Sequence, residues 1–101
     1  MPASVFSRST ECHNQDKVSL GTISARDCLT IVELTETVLA CVLLASVQAL
    51  ELRLKLKGQK LNQTKGKLGS IIRTVRDKSD FLTVDRELQR DIDVITTFLR
   101  N

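Results

Sequence analysis

The chain has 101 residues, 42% hydrophobic and 27% charged, with a formal net charge of +3, a composition that fits one modest domain and not a disordered tail. Three Phe without Trp or Tyr leave little aromatic surface for a ligand pocket or for stacking bases. Three widely spaced cysteines, Cys12, Cys28 and Cys41, fit neither a disulfide framework nor a zinc ribbon, so reduced thiols and a cytoplasmic location are expected.

Residues 1–19 are expected as a loop, because Met1 to Asp16 is polar, holds the only proline and shows no helical or strand period. No apolar core suited to a signal peptide is present there. Within the loop, Glu11, Cys12, His13, Asn14, Gln15 and Asp16 place six functional side chains in a row. On spacing alone this is an exposed loop ending in a helix cap, with Asp16 or Ser19 as cap residue. Adjacent Cys12 and His13, with no further Cys or His at ligand spacing, argue against a metal site. Cys–His nucleophilic catalysis lacks an identifiable orienting partner.

Residues 20–57 read as one long helix, from about 20 to 55. No proline occurs between Leu20 and Leu54 and Gly21 is the only glycine, so nothing breaks a rod of ~50 Å. Its centre, Thr37 to Leu50, is uncharged. The aliphatics Val38, Leu39, Val42, Leu43, Leu44, Val47 and Leu50 spread over roughly 240° of the surface, too wide for one side to face water. Burying them is worth on the order of 10–20 kcal/mol, so the helix needs partners on most sides. Fourteen uncharged residues are short of the ~20 that span a bilayer, and no membrane span is expected. Arg53, Lys55 and Lys57 suit the C-terminal end of the helix dipole, and Gly58 is a natural stop.

A polar connector is expected over residues 58–66. Leu52 to Arg76 holds eight bases and no acid, but no aromatic is interleaved for stacking, so nucleic acid is not an expected partner. Residues 67–101 read as two short helices. The first, about Lys67 to Lys78, has Leu68, Ile71, Ile72 and Val75 as its apolar stripe, with Arg73, Arg76, Asp77 and Lys78 on the solvent side. After a bend in which Phe81 and Leu82 fill a gap, the second, about Glu87 to Leu99, carries Leu88, Ile92, Ile95 and Leu99. The expected fold class is all-α: one long central helix with two shorter helices packing on it, part of a larger helical bundle.

The run Glu11-Cys-His-Asn-Gln-Asp-Lys-Val-Ser-Leu-Gly21, then Ser24-Ala-Arg-Asp27, Gln48-Ala-Leu-Glu-Leu-Arg53 and Val84-Asp-Arg-Glu-Leu-Gln-Arg-Asp-Ile92, resembles the C-terminal part of the aromatic amino acid and histidine ammonia-lyases. The likeness runs from about Pro2 to Arg100. It implies a mainly helical homotetramer with long helices bundled at its centre and active sites assembled from several chains. Such enzymes release ammonia from an α-amino acid to leave an unsaturated acid, using a methylidene-imidazolone formed by cyclisation of an internal Ala-Ser-Gly. By the same resemblance, Asn14 and Gln15 match an Asn-Gln pair on the active-site wall. Glu11 matches an acidic position of the phenylalanine and tyrosine branch, near the substrate amino group. His13 would help shape the wall, and Asp16 would be structural. Histidine-specific members carry Gln-Glu-Asp where this chain has Asn14-Gln-Asp16, which points to an aromatic amino acid as substrate.

Two departures bound the chemistry. No Ala-Ser-Gly is present, the nearest strings being Ala3-Ser4-Val5 and Ala45-Ser46-Val47, and there is no tyrosine to serve as the family's catalytic base. The chain is therefore expected to hold no catalytic residue and to form no prosthetic group itself. It would contribute Glu11, Asn14 and Gln15 as substrate-binding residues, together with oligomer contacts, to the remaining lyase polypeptide or to further copies. The alternative is a non-catalytic helical oligomerisation module.

Overall fold

The computed structural model describes residues 1–9, 12–14, 17–60 and 64–100. A 3₁₀ turn over Ala3–Phe6 is followed by three α-helices, α1 (Gly21–Leu56), α2 (Gly66–Lys78) and α3 (Gln89–Arg100). No strand occurs among the described residues, and the fold is all-α as expected. The chain forms two units, Met1–Thr35 and Glu36–Asn101, and α1 contributes to both.

In the first unit the Val18 N–H donates to the Arg8 carbonyl at 3.2 Å, tying together the two ends of the loop that precedes α1. Helix α1 starts at Gly21, with the Ser24 N–H bonded to the Leu20 carbonyl at 2.9 Å. The hydroxyls of Thr30 and Thr35 turn back onto the carbonyls of Arg26 and Ile31, which satisfies them within the helix. Large aliphatics of this stretch, Leu29, Ile31, Val32 and Leu34, are exposed.

In the second unit α1 ends as Gly58 predicts. Gly58 takes φ +68°, its N–H bonds the Lys55 carbonyl at 3.0 Å, and the Gln59 N–H reaches the Leu54 carbonyl at 2.9 Å. These are the paired bonds of a Schellman stop, which satisfy carbonyls that a helix end leaves open. The core consists of Ala40 and Val47 from α1, Ile72 and Val75 from α2, and Ile95 from α3, with Leu43, Leu44, Leu50 and Ile92 packed against it. Part of the uncharged run stays outside this core: Val38, Leu39 and Val42 are 60%, 52% and 55% exposed.

Both short helices form, but their inner faces differ from the sequence expectation. In α2 the buried positions are Gly69, Ile72 and Val75, while Leu68 and Ile71 are exposed. The reason is tertiary: Ile72 and Val75 join Ala40, Val47 and Ile95 in the core, and Arg76 on the adjoining face is held to Glu51 and Gln48 of α1. At Gly69 a Cβ would lie 2.1 Å from the carbonyl oxygen of Thr64 in the segment entering the helix. In α3 the buried residues are Ile95 and Asp91, and Leu99 is 41% exposed. Arg76, expected on the solvent side, is half-buried against α1. Phe81 and Leu82 do fill space in the bend, with the Lys55 ammonium 3.4 Å from the centroid of the Phe81 ring.

Helix α1 is also long and apolar enough, by length and composition alone, to cross a membrane, since it holds an 18-residue window of mean hydropathy 2.0 with no more than two charged residues. Mostly buried core helices of soluble proteins and signal sequences near an N-terminus meet the same criterion; in this chain 6% of the window is buried.

Candidate functional site

The loop before α1 carries the residues that the sequence nominates. Cys12 and His13 both lie in the left-handed region, with φ 55° and 70°, and Asn14 follows in the same turn. For L-residues this region costs roughly 1–2 kcal/mol each, so two consecutive non-glycine residues there mark a turn held against local preference. One source of support is visible. Ser9 Oγ lies 2.6 Å from His13 Nδ1, where the hydroxyl donates if the ring carries its proton on Nε2.

Asn14 is exposed, and among the described residues nothing hydrogen-bonds its side chain. Its amide therefore offers two donors and an acceptor outward. Glu11 and Gln15, nominated with it, lie outside the described residues, as does Asp16. Among the described residues no group of three His, Cys, Asp or Glu side chains could hold a metal ion.

A second set of polar residues is internal to the Glu36–Asn101 unit and structural in character. Gln48, on α1, donates from Nε2 to the Leu82 carbonyl at 3.0 Å, while its Oε1 accepts from the Leu82 N–H at 3.2 Å and from Arg76 Nη2 at 3.0 Å. Arg76 also donates from Nε to Glu51 at 2.8 Å and from Nη1 to the Ser79 carbonyl at 3.3 Å. A single amide thus clips the bend to the long helix in both directions. Further on, Arg86 forms a two-pronged ion pair with Asp91, Nη2 to Oδ2 at 2.6 Å and Nη1 to Oδ1 at 3.1 Å, and the Ser79 hydroxyl donates to Asp91 Oδ2. Arg86 holds the Asp91 carboxyl below the usual aspartate range; burial opposes this and the Ser79 hydrogen bond assists it. The Arg86 guanidinium is correspondingly raised by its bond to Asp91.

These contacts account for two of the sequence motifs. Gln48 and Glu51 of the Gln48–Arg53 run, and Arg86 and Asp91 of the Val84–Ile92 run, are joints of the fold. In the Glu11–Asp16 run the described residues Cys12, His13 and Asn14 are exposed.

The description "Aromatic amino acid lyase" matches residues 1–77. The chain belongs to this family. It is 40% identical over 100 residues to the histidine ammonia-lyase of Caldanaerobacter subterraneus subsp. tengcongensis, covering 99% of this chain and 18% of that protein. With the histidine ammonia-lyase of Natranaerobius thermophilus it shares 39% identity over 94 residues, 93% of this chain and 17% of the other. The tyrosine ammonia-lyase of Cereibacter sphaeroides is 37% identical over 98 residues, 97% of this chain and 18% of that enzyme. The chain thus spans less than a fifth of the length of these curated relatives. No solved structure matches it.

Family membership was readable from the motifs. The joints were not, because Arg76 and Asp91 look like surface charges at their helical positions. The available signal was an Arg five residues before an Asp, Arg86 and Asp91, with Ser79 across a bend, which spacing alone does not distinguish from solvated charges.

Proposed function

We propose that this chain is the C-terminal segment of an ammonia-lyase acting on an aromatic amino acid, silent alone and completed by the rest of the lyase polypeptide. The observation that carries the reading is the outward amide of Asn14 on a left-handed turn, within a chain of this family that lacks both Ala-Ser-Gly and tyrosine. Asn14, with Glu11 and Gln15 beside it in sequence, would line the wall of a shared site. An amide can donate to a substrate carboxylate, and the Glu11 carboxylate can hold the substrate ammonium. Ala-Ser-Gly and tyrosine do not occur in these 101 residues, so in this reading the methylidene-imidazolone and the catalytic base come from the remaining portion of the lyase. The aromatic branch is favoured by Glu11 and by Asn14-Gln15, although relatives named for histidine and for tyrosine both match.

The exposed aliphatics of α1 fit oligomer contacts in such an assembly, with the helix in a protein bundle and not in a bilayer. They also suit a second reading, a helical oligomerisation module without catalytic partners.

Complementation decides between these readings. Co-expressed with a lyase polypeptide that carries Ala-Ser-Gly and the catalytic tyrosine but lacks the matched segment, the chain should restore release of arylacrylate, followed by its near-ultraviolet absorbance. Asn14→Ala and Gln15→Ala should each lower that rate about 10- to 100-fold, the effect of losing one hydrogen bond to a charged group at ~1.5–3 kcal/mol. Full turnover by both variants would remove the site assignment, and no restoration would favour the non-catalytic module.

A further inference from the structure

Ser9 sits at the point where the loop before α1 closes on itself. Its neighbour Arg8 accepts from the Val18 N–H at 3.2 Å, so the backbone beside Ser9 is tied to the residues that enter the helix. From this anchored position the Ser9 hydroxyl reaches four residues on, to His13 Nδ1 at 2.6 Å. His13 is itself in the left-handed region, next to a second such residue, Cys12.

The bond does more than support the turn. A neutral imidazole has one N–H, and the partner of one nitrogen decides which of the two carries it. With the serine hydroxyl donating, Nδ1 is the acceptor and the proton sits on Nε2. The ring is exposed, so its Nε2–H is a donor of fixed identity, one residue before the exposed Asn14 amide. Two neighbouring donors suit an oxygen anion, and a carboxylate brings two oxygens to them. In the opposite tautomer Nε2 would be an acceptor and would repel the same carboxylate. The exposed bases of this loop, Arg8 and Lys17, supply charge of the matching sign.

We infer that Ser9 is a positioning residue, whose hydroxyl fixes the Nε2–H tautomer of His13 so that this ring, beside Asn14, donates to the carboxylate of the amino acid substrate. The identity of the carboxylate rests on the lyase reading above and deepens it; the tautomer does not depend on that reading.

His13 is the only histidine in the chain, so the imidazole nitrogen resonances of the whole 15N-labelled protein report on it alone. In mildly alkaline buffer, where imidazoles are neutral, they should show the Nε2–H form with Nδ1 as a bare acceptor. Ser9→Ala should raise the Nδ1–H share about fivefold, equivalent to about 1 kcal/mol, and Ser9→Thr, which keeps the hydroxyl, should restore the original ratio. Ser9 is exposed, so helix content by circular dichroism should be the same in all three proteins. A ring held as Nδ1–H, or a ratio that Ser9→Ala leaves alone, would overturn the proposal whatever the chain's role in a lyase. In the complemented enzyme, Ser9→Ala and His13→Phe should each raise KM for the amino acid about tenfold at unchanged kcat, with Ser9→Thr near the unaltered value. An unchanged KM in an active complex would overturn the carboxylate contact and leave the lyase reading standing. No activity with the unaltered chain would overturn the lyase reading and the carboxylate contact together.

Discussion

The Asp91 carboxylate accepts from both arms of Arg86 and from the Ser79 hydroxyl, which is why a charged residue on α3 can be buried. Its stability contribution has a definite pH sign. Since folding depresses its pKa, the contribution is complete above the ordinary aspartate value of about 3.9 and is lost as pH falls from there through the depressed native value. Asp91→Asn should abolish that part of the acid dependence in thermal melts taken from pH 7 downward. An unchanged acid slope in the variant would mean that other carboxylates carry it. Ser79→Ala, which removes one donor from the buried Asp91 carboxylate, should cost ~1.5–3 kcal/mol in the same melts at neutral pH. None of this was legible at positions 79, 86 and 91 taken singly, because the burial of Asp91 depends on where the bend delivers Arg86 and Ser79. At the other end of the chain, the run around Asn14 stood out by its chemistry, but the left-handed turn that presents Asn14 is a matter of backbone that residue types do not announce.

Helices α1 and α2 each depend on a glycine, and the two cases differ. At Gly58 the requirement is conformational: φ is +68° and a Cβ would meet nothing within 4 Å. Gly58→Ala should therefore cost only the left-handed penalty of roughly 1–2 kcal/mol. At Gly69 the requirement is space, since the added Cβ would press on the Thr64 carbonyl, which is backbone and cannot swing aside. Gly69→Ala should cost ~1–3 kcal/mol by overpacking, against the gain in helix propensity that an open site would show. Chemical denaturation of the two variants measures both, and a stabilised Gly69→Ala would contradict the close approach of the Thr64 carbonyl. The bounds of α1 were legible because they rest on local signals, an absence of proline and a glycine stop. The rotation of α2 was not, because Leu68 and Ile71 satisfy the helical period as well as Ile72 and Val75 do, and only tertiary packing, Ile72 and Val75 in the core and Arg76 on Glu51, selects between the two faces.

For the molecule as a whole, sequence and structure agree on a chain that uses its polar motifs in two ways. Gln48, Arg86 and Asp91 hold the second unit together, while Asn14, in the Glu11–Asp16 run, is exposed. Large aliphatics of α1 are exposed in both units. In the composite reading proposed above, this segment, less than a fifth of its relatives' length, works with the remaining portion of a lyase. The most direct measurement is the native mass of the chain purified from its own cells under mild conditions, with peptide mass spectrometry of whatever accompanies it. The composite reading predicts recovery with a larger polypeptide that contains Ala-Ser-Gly and a tyrosine-bearing lyase portion. Recovery of this chain as a discrete oligomer of itself alone would contradict it.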